Sequence, residues 1–301
     1  MPSASRSALP GSADASSSAG APRAVENPDT ASYPSGGGSH YARDFVASYL
    51  LEPVKVAPRS WTPGFTLRRI DLILIVLVTL AGLGLRISRY GQSLFADEIS
   101  TLWIVRNNDL SGVISTVKTD AEISPPLYFV LAWFSTKLGS APELVRLPSL
   151  IAGVLSIPLV YVLALTLANR RAAMVAATVM ALSPFMIYYS GEGRNYAVMV
   201  FLVVISTLSM VIAARGGWRW LWAVYALSSC LALYSHYTAV FVLFGQFLWL
   251  VWAHPRARRP ALLANVAVLI GFLPWLPGFR ADGDSPTTAL ANQLLPFNFS
   301  T

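Results

Sequence analysis

Charge is scarce in this sequence. Only 12% of its 301 residues are Asp, Glu, Lys or Arg, against 54% hydrophobic, and the mean hydropathy is +0.54. That balance cannot coat a soluble fold with polar surface; it fits a chain that crosses a membrane several times. Cysteine is almost missing. Cys230 stands alone inside an apolar run, which excludes a disulfide framework and a metal–thiolate cluster. There are three histidines, and no His/Asp/Glu grouping has metal-ligand spacing, so no metal site is expected from the residues. The formal charge of +7 comes without a basic patch interleaved with aromatics. It suits basic cytoplasmic loops, and nucleic acid is not expected as a partner.

Large apolar residues are few in residues 1–60, where Ser, Ala, Gly and Pro dominate and Ser16-Ser17-Ser18 and Gly36-Gly37-Gly38 stand as runs. This stretch is expected to be a disordered cytoplasmic tail. No apolar h-region lies near its start, so it does not read as a cleavable signal peptide. Residues 61–280 read as one multi-pass membrane domain, and 281–301 as an extracytoplasmic tail.

The first expected span runs from about Ile70 to Ile87, preceded by Arg68-Arg69. Those arginines place the N-terminus in the cytoplasm and the chain outside near Tyr90. A long outer segment follows. Asp97 to Val105 reads as a short Trp-bearing helix along the interface, and Ser111 is placed to cap a second through Lys118. Pro125-Pro126 then opens the apolar run Leu127 to Leu138. With about a dozen residues against the roughly 20 a crossing needs, this run is expected to dip in and return.

That choice decides the topology. If the dip does not cross, spans follow at about 144–168, 172–189, 197–214, 220–234, 238–253 and 262–276. Arg170-Arg171, Arg215/Arg219 and Arg256/Arg258/Arg259 then all fall inside; a crossing dip would put them all outside. The expected fold is an all-α integral membrane protein of about seven transmembrane helices, with interfacial helices in a long first extracytoplasmic loop. The same parity gathers Asp97-Glu98, Pro125-Pro126-Leu127-Tyr128, Glu192/Arg194 and His236 on the outer face. Polar residues at span ends on one face are what a membrane-surface site requires.

Five segments carry a resemblance: Phe95-Ala96-Asp97-Glu98, Pro125-Pro126-Leu127-Tyr128, Arg146-Leu147-Pro148-Ser149, Tyr188 through Ala197, and Tyr234-Ser235-His236-Tyr237. Each alone is weak, but as an ordered set over about 70–237 they resemble the glycosyltransferase C superfamily. The similar branch holds protein O-mannosyltransferases and the aminoarabinose transferases of lipid A. The resemblance implies seven shared spans, interfacial helices in the first outer loop and a polyprenyl-phosphate sugar donor, mannose or another hexose or pentose. The acceptor would be a lipid, glycan or protein outside the membrane. A divalent cation is implied by analogy alone, since relatives differ. Members usually continue with further spans, whereas this chain stops at Thr301, as a fragment or a minimal version would.

In that light the residues take roles. An acceptor hydroxyl must lose its proton as it attacks C1 of the sugar, so a carboxylate is needed. Asp97 is the expected base and Glu98 its positioning neighbour, because adjacent helical side chains diverge by about 100° and cannot face one atom. The alternative is an acidic pair complementing a helix dipole. Arg194 is expected on the leaving phosphate, with Glu192 either pairing with it or touching the sugar. His236, Arg146 and Tyr128 complete the expected donor site, against an aromatic-belt histidine and a snorkelling arginine as simpler readings. Two other classes stay open: a polyprenyl-lipid flippase or transporter, and a non-catalytic lipid-binding subunit. Polar groups gathered at one face, with no internal repeat, favour the transferase.

Overall fold

The computed structural model describes residues 68–119 and 122–284, and no strand occurs among them. The expected tail at 1–60 lies outside the described residues, as does 285–301. Helix α1 (Arg69–Tyr90) buries Ile75, Gly82 and Arg86, while Ile70, Ile73, Val76, Leu77 and Leu80 are exposed. The buried three recur at spacings of seven and four, a single helical stripe, so one face meets protein and the rest is apolar enough to meet lipid.

Among the described residues four stretches are long and apolar enough to cross a membrane: Arg69–Tyr90, Pro142–Leu167, Tyr196–Ala214 and Pro255–Gly283. The second contains a 3₁₀ turn (Pro142–Arg146) and α5 (Leu147–Leu167). The expected span at 172–189 is not one straight helix. It is α6 (Arg170–Leu182) and α7 (Pro184–Ser190), bent by 56°, because Pro184 has no N–H to continue the ladder. Counted as one, this pair makes five. The expected fifth and sixth spans appear as α9 (Leu221–Ser235) and α10 (Ala239–Ala253), 15 residues each, shorter than the ~20 residues of a full crossing. Between α7 and α9 runs α8 (Tyr196–Ala214), and α11 (Arg258–Phe272) and α12 (Leu276–Gly283) follow α10.

The outer segment folds as α2 (Ala96–Asn107), α3 (Leu110–Lys118) and α4 (Leu127–Thr136). Asp109, not Ser111, caps α3: its Oδ1 accepts from the Gly112 N–H at 2.8 Å, and the Ser111 hydroxyl donates to the same carboxylate. A carboxylate at the N-cap is the better partner for a free amide in the first turn. Helix α4 has 10 residues, too few to cross. Its Tyr128, Phe129 and Ala132 pack with Ile104, Val105, Val113 and Val117 of α2 and α3 and with Val198 and Leu202 of α8. One apolar core thus fastens the outer helices to the bundle.

The two ends of the bundle differ. At one, Arg170 pairs with Asp71 at 3.5 Å and Arg215 Nη1 donates to the Thr166 carbonyl at 2.6 Å. At the other lie Glu98, Arg146, Gly193, Asn195 and Ser235, joined by the contacts described below. If the first end is the cytoplasmic one, as the basic clusters imply, cysteines placed at Ser111 and Asp284 in a Cys230-free background are expected to react with an impermeant thiol reagent on intact cells. Cysteines at Asn169 and Arg256 are expected to react only after permeabilisation; the opposite pattern would invert the orientation.

Candidate active site

The adjacent carboxylates at the start of α2 meet opposite surroundings. Glu98 is 2% exposed. Its Oε1 accepts from Arg146 Nε and from the Gly193 N–H, both at 2.6 Å, and its Oε2 accepts from Arg146 Nη2 at 2.6 Å and the Phe95 N–H at 3.0 Å. Burial pushes the Glu98 carboxyl up, but Arg146 and the two backbone N–H groups outweigh it and hold it below the usual carboxylate range. A Cβ at Gly193 would lie 3.0 Å from Val145 Cγ2 and 3.2 Å from Glu98 Oε1, so glycine is what lets that amide approach.

Arg146, expected at the donor phosphate, points inward. Beyond its fork on Glu98, Nη1 donates to the carbonyls of Tyr90 and Gln92 at 2.8 and 2.6 Å, and Nη2 to that of Ser93 at 3.0 Å. All five N–H donors are engaged, leaving none for phosphate. Tyr128 is enclosed too: its hydroxyl donates to the Val145 carbonyl at 2.7 Å and lies 3.0 Å from Ser149 Oγ. Glu98, Arg146 and Tyr128 therefore form the frame that ties α2, the 3₁₀ turn and the Gly191–Asn195 loop together.

Asp97 stands outside that frame. Its side chain is 67% exposed and Oδ2 lies 3.9 Å from Arg194 Nη2, while Arg194 Nη1 meets Glu122 Oε2 at 3.1 Å. Glu122 in turn accepts from the Ser100 hydroxyl at 2.7 Å. The Arg194 side chain is only 12% exposed; burial disfavours its charge, but Glu122 and Asp97 overcome this and raise its pKa. Among the described residues Arg194 Nε is buried with no hydrogen-bond partner. The Ser149 hydroxyl holds the Arg194 carbonyl at 2.7 Å.

Glu192 makes no ion pair with Arg194 among the described residues, where the partners are Glu122 and Asp97. Its Oε2 is buried without a hydrogen-bond partner. Burial first, then the nearby Glu98 charge, push its carboxyl above the usual range, with Arg194 opposing. His236 packs on Tyr196, ring centroids 5.3 Å apart, and its Nδ1 accepts from the Thr238 N–H at 3.1 Å. That bond assigns the ring proton to Nε2. Burial and then the Arg194 charge lower the His236 pKa, so the ring is a neutral donor. Asn195 Nδ2 donates to the Ser235 carbonyl at 2.7 Å and the Ser235 hydroxyl returns to the Asn195 carbonyl at 3.1 Å. This clamp joins the start of α8 to the end of α9.

Glu122 and Ser100 were not foreseen. Glu122 lies 72 residues from Arg194, and nothing local separates it from the other acidic residues of the same segment, Asp97, Glu98, Asp109, Asp120 and Glu143. Beside the site an apolar cleft of about 380 Å³ opens between α4, α5, α8 and α9, lined by Leu127, Leu131, Leu147, Ile151, Val198 and Phe201. Among the described residues no group of three His, Cys, Asp or Glu is placed to hold a metal ion. Asp97 and Glu122 both face Arg194, so in this arrangement their carboxylates balance a guanidinium.

The family described as dolichyl-phosphate-mannose-protein mannosyltransferase matches residues 124–277, just over half of the chain, taking in Tyr128, Arg146, Glu192, Arg194 and His236 and beginning after Asp97, Glu98 and Glu122. No curated protein matches the chain. The matched length and the membrane-capable helices lead to one conclusion: the chain belongs to the dolichyl-phosphate-mannose-protein mannosyltransferase family and is a membrane glycosyltransferase of the mannosyltransferase type.

Proposed function

We propose that this protein moves a mannosyl residue from a polyprenyl-phosphate donor to an acceptor hydroxyl at the extracytoplasmic face, with inversion. The observation that carries the reading is the state of Arg194. Glu122 occupies Nη1, while Nε has no partner and Nη2 has only a 3.9 Å contact to the exposed Asp97. The Nε–Nη2 edge is the one that grips two oxygens of a phosphate side by side. An exposed carboxylate and a buried guanidinium edge without a hydrogen-bond partner thus lie side by side.

The step balances simply. The acceptor oxygen attacks C1, the bond from C1 to the phosphate oxygen breaks, and the acceptor proton passes to Asp97. Negative charge builds on the departing polyprenyl phosphate and meets Arg194. A single displacement inverts C1. The neutral His236 Nε2–H and Glu192 line the approach as hydrogen-bonding groups for sugar hydroxyls. The apolar cleft supplies the seat for the first isoprene units, whose transfer from water to such a lining is favourable.

Arg194→Lys keeps charge and loses the fork, so donor binding and turnover are expected to fall together. Arg194→Ala is expected to cost more, about 10²- to 10³-fold in transfer, the scale of losing one electrostatic stabiliser. Purified variants titrated with polyprenyl-phosphate mannose check this; wild-type donor affinity and turnover in Arg194→Ala would remove the residue from the site.

A further inference from the structure

Arg86 is fully buried in α1, and the reaction outlined above does not use it. Among the described residues it forms no ion pair. A charge held inside a membrane protein without a counter-ion is costly, and its partners indicate what retains it. Nη2 donates to the Met180 carbonyl at 3.0 Å, and Nη1 to those of Ala181 at 3.0 Å and Gly82 at 2.9 Å. Met180 is the residue whose carbonyl Pro184 leaves without a helical donor, four positions on. The Met180 and Ala181 carbonyls lie in the last turn of α6, where the helix dipole is negative and favours a cation.

The Nε–H faces elsewhere. Nε donates to Ser190 Oγ at 3.1 Å, and the Ser190 hydroxyl donates to the Met186 carbonyl. A Cβ at Gly153 would fall 2.0 Å from Ser190 Oγ, so α5 closes directly on this contact. Ser190 ends α7, and the next residues are Gly191–Asn195. The far half of that loop is tied to α2, α5 and α9 through Glu98, Ser149 and Ser235. The near half is tied to α1 through Arg86 and Ser190, beside the stacking of Arg89 on Tyr188 at 4.8 Å.

We infer that Arg86 is a positioning residue: it fills the hydrogen-bonding gap at the α6–α7 bend and, through Ser190, sets the start of the loop that carries Arg194. The inference rests on the transferase reading for its kinetic consequence and on geometry alone for the coupling to the loop. Arg86→Lys keeps the charge and can still reach the α6 carbonyls, but its single nitrogen cannot also reach Ser190. Ser190→Ala removes the same contact from the other side.

In the purified full chain, hydrogen exchange over residues 188–196 is expected to quicken in both variants while the middle of α8 is unchanged. Transfer from polyprenyl-phosphate mannose is expected to lose on the order of tenfold in kcat with donor KM within about twofold, because misplacement of a bound group costs rate more than binding. The double variant is expected to be no worse than either single one, since both break one contact. Wild-type exchange over 188–196 in both variants would overturn the inference, as would losses that simply add. A wild-type chain that transfers no mannose would instead remove the transferase reading, and the exchange result would still decide the coupling.

Discussion

Asp97→Asn is expected to lower single-turnover mannosyl transfer by roughly 10²-fold or more, the usual scale for a lost general base, while folding and donor binding stay near wild type. The side chain is 67% exposed and its one ionic contact is the 3.9 Å approach to Arg194. Little packing is lost when its charge goes, and exposed pairs of this kind contribute at most about 1 kcal/mol. An amide in the same place still accepts a hydrogen bond from an acceptor hydroxyl but cannot take its proton. Dipole complementation at the start of α2 predicts something else: a change of about 1 kcal/mol or less in stability and an ordinary rate. Rapid-quench transfer with donor-saturated enzyme separates the two. A near-normal rate in Asp97→Asn would mean that the base is elsewhere.

The neighbouring substitution is expected to fail differently. Glu98→Gln should cost about 3–5 kcal/mol of folding stability, because it leaves the guanidinium of Arg146 buried without its counter-charge. Activity would fall along with the folded fraction, whereas Asp97→Asn loses rate in a folded protein. Arg146→Met should be nearly as damaging, since Glu98 then keeps only the Gly193 and Phe95 amides. The pH dependence has a fixed sign. The folded-state pKa of Glu98 lies below its ordinary value, so its contribution is fully present above the unfolded carboxylate range and is lost as pH falls through the folded pKa. Detergent-solubilised protein should therefore lose Tm on acidification below the carboxylate range, and Glu98→Gln should flatten that dependence. A Glu98→Gln protein with wild-type Tm would show that the frame does not depend on this charge.

Much of the architecture was legible because it depends on composition and period. Apolar runs between basic clusters mark membrane helices wherever they occur, and α1, α5, α8 and α11 lie where those runs are. The short run after Pro125-Pro126 forms a helix of 10 residues, below the length of a crossing for the same reason. The bend at Ser183-Pro184 was also written locally, in a proline that cannot donate, yet hydropathy averaged it into one span. The contrast of Asp97 with Glu98 was half legible: helical geometry requires the two to diverge, but not which of them turns inward.

The sequence by itself determined a multi-pass helical protein with its polar motifs at shared span ends, because hydrophobic runs and charge bias act over neighbouring residues. Tertiary structure alone decided that Glu98 is sealed by Arg146, 48 residues away, and that Arg194 is held by Glu122, 72 residues away. It also turned Arg86 towards the carbonyls of Met180 and Ala181, more than 90 residues on. A buried ion pair or a capped carbonyl exists only when two distant segments exclude water together, and no local pattern of residue types records which partner arrives.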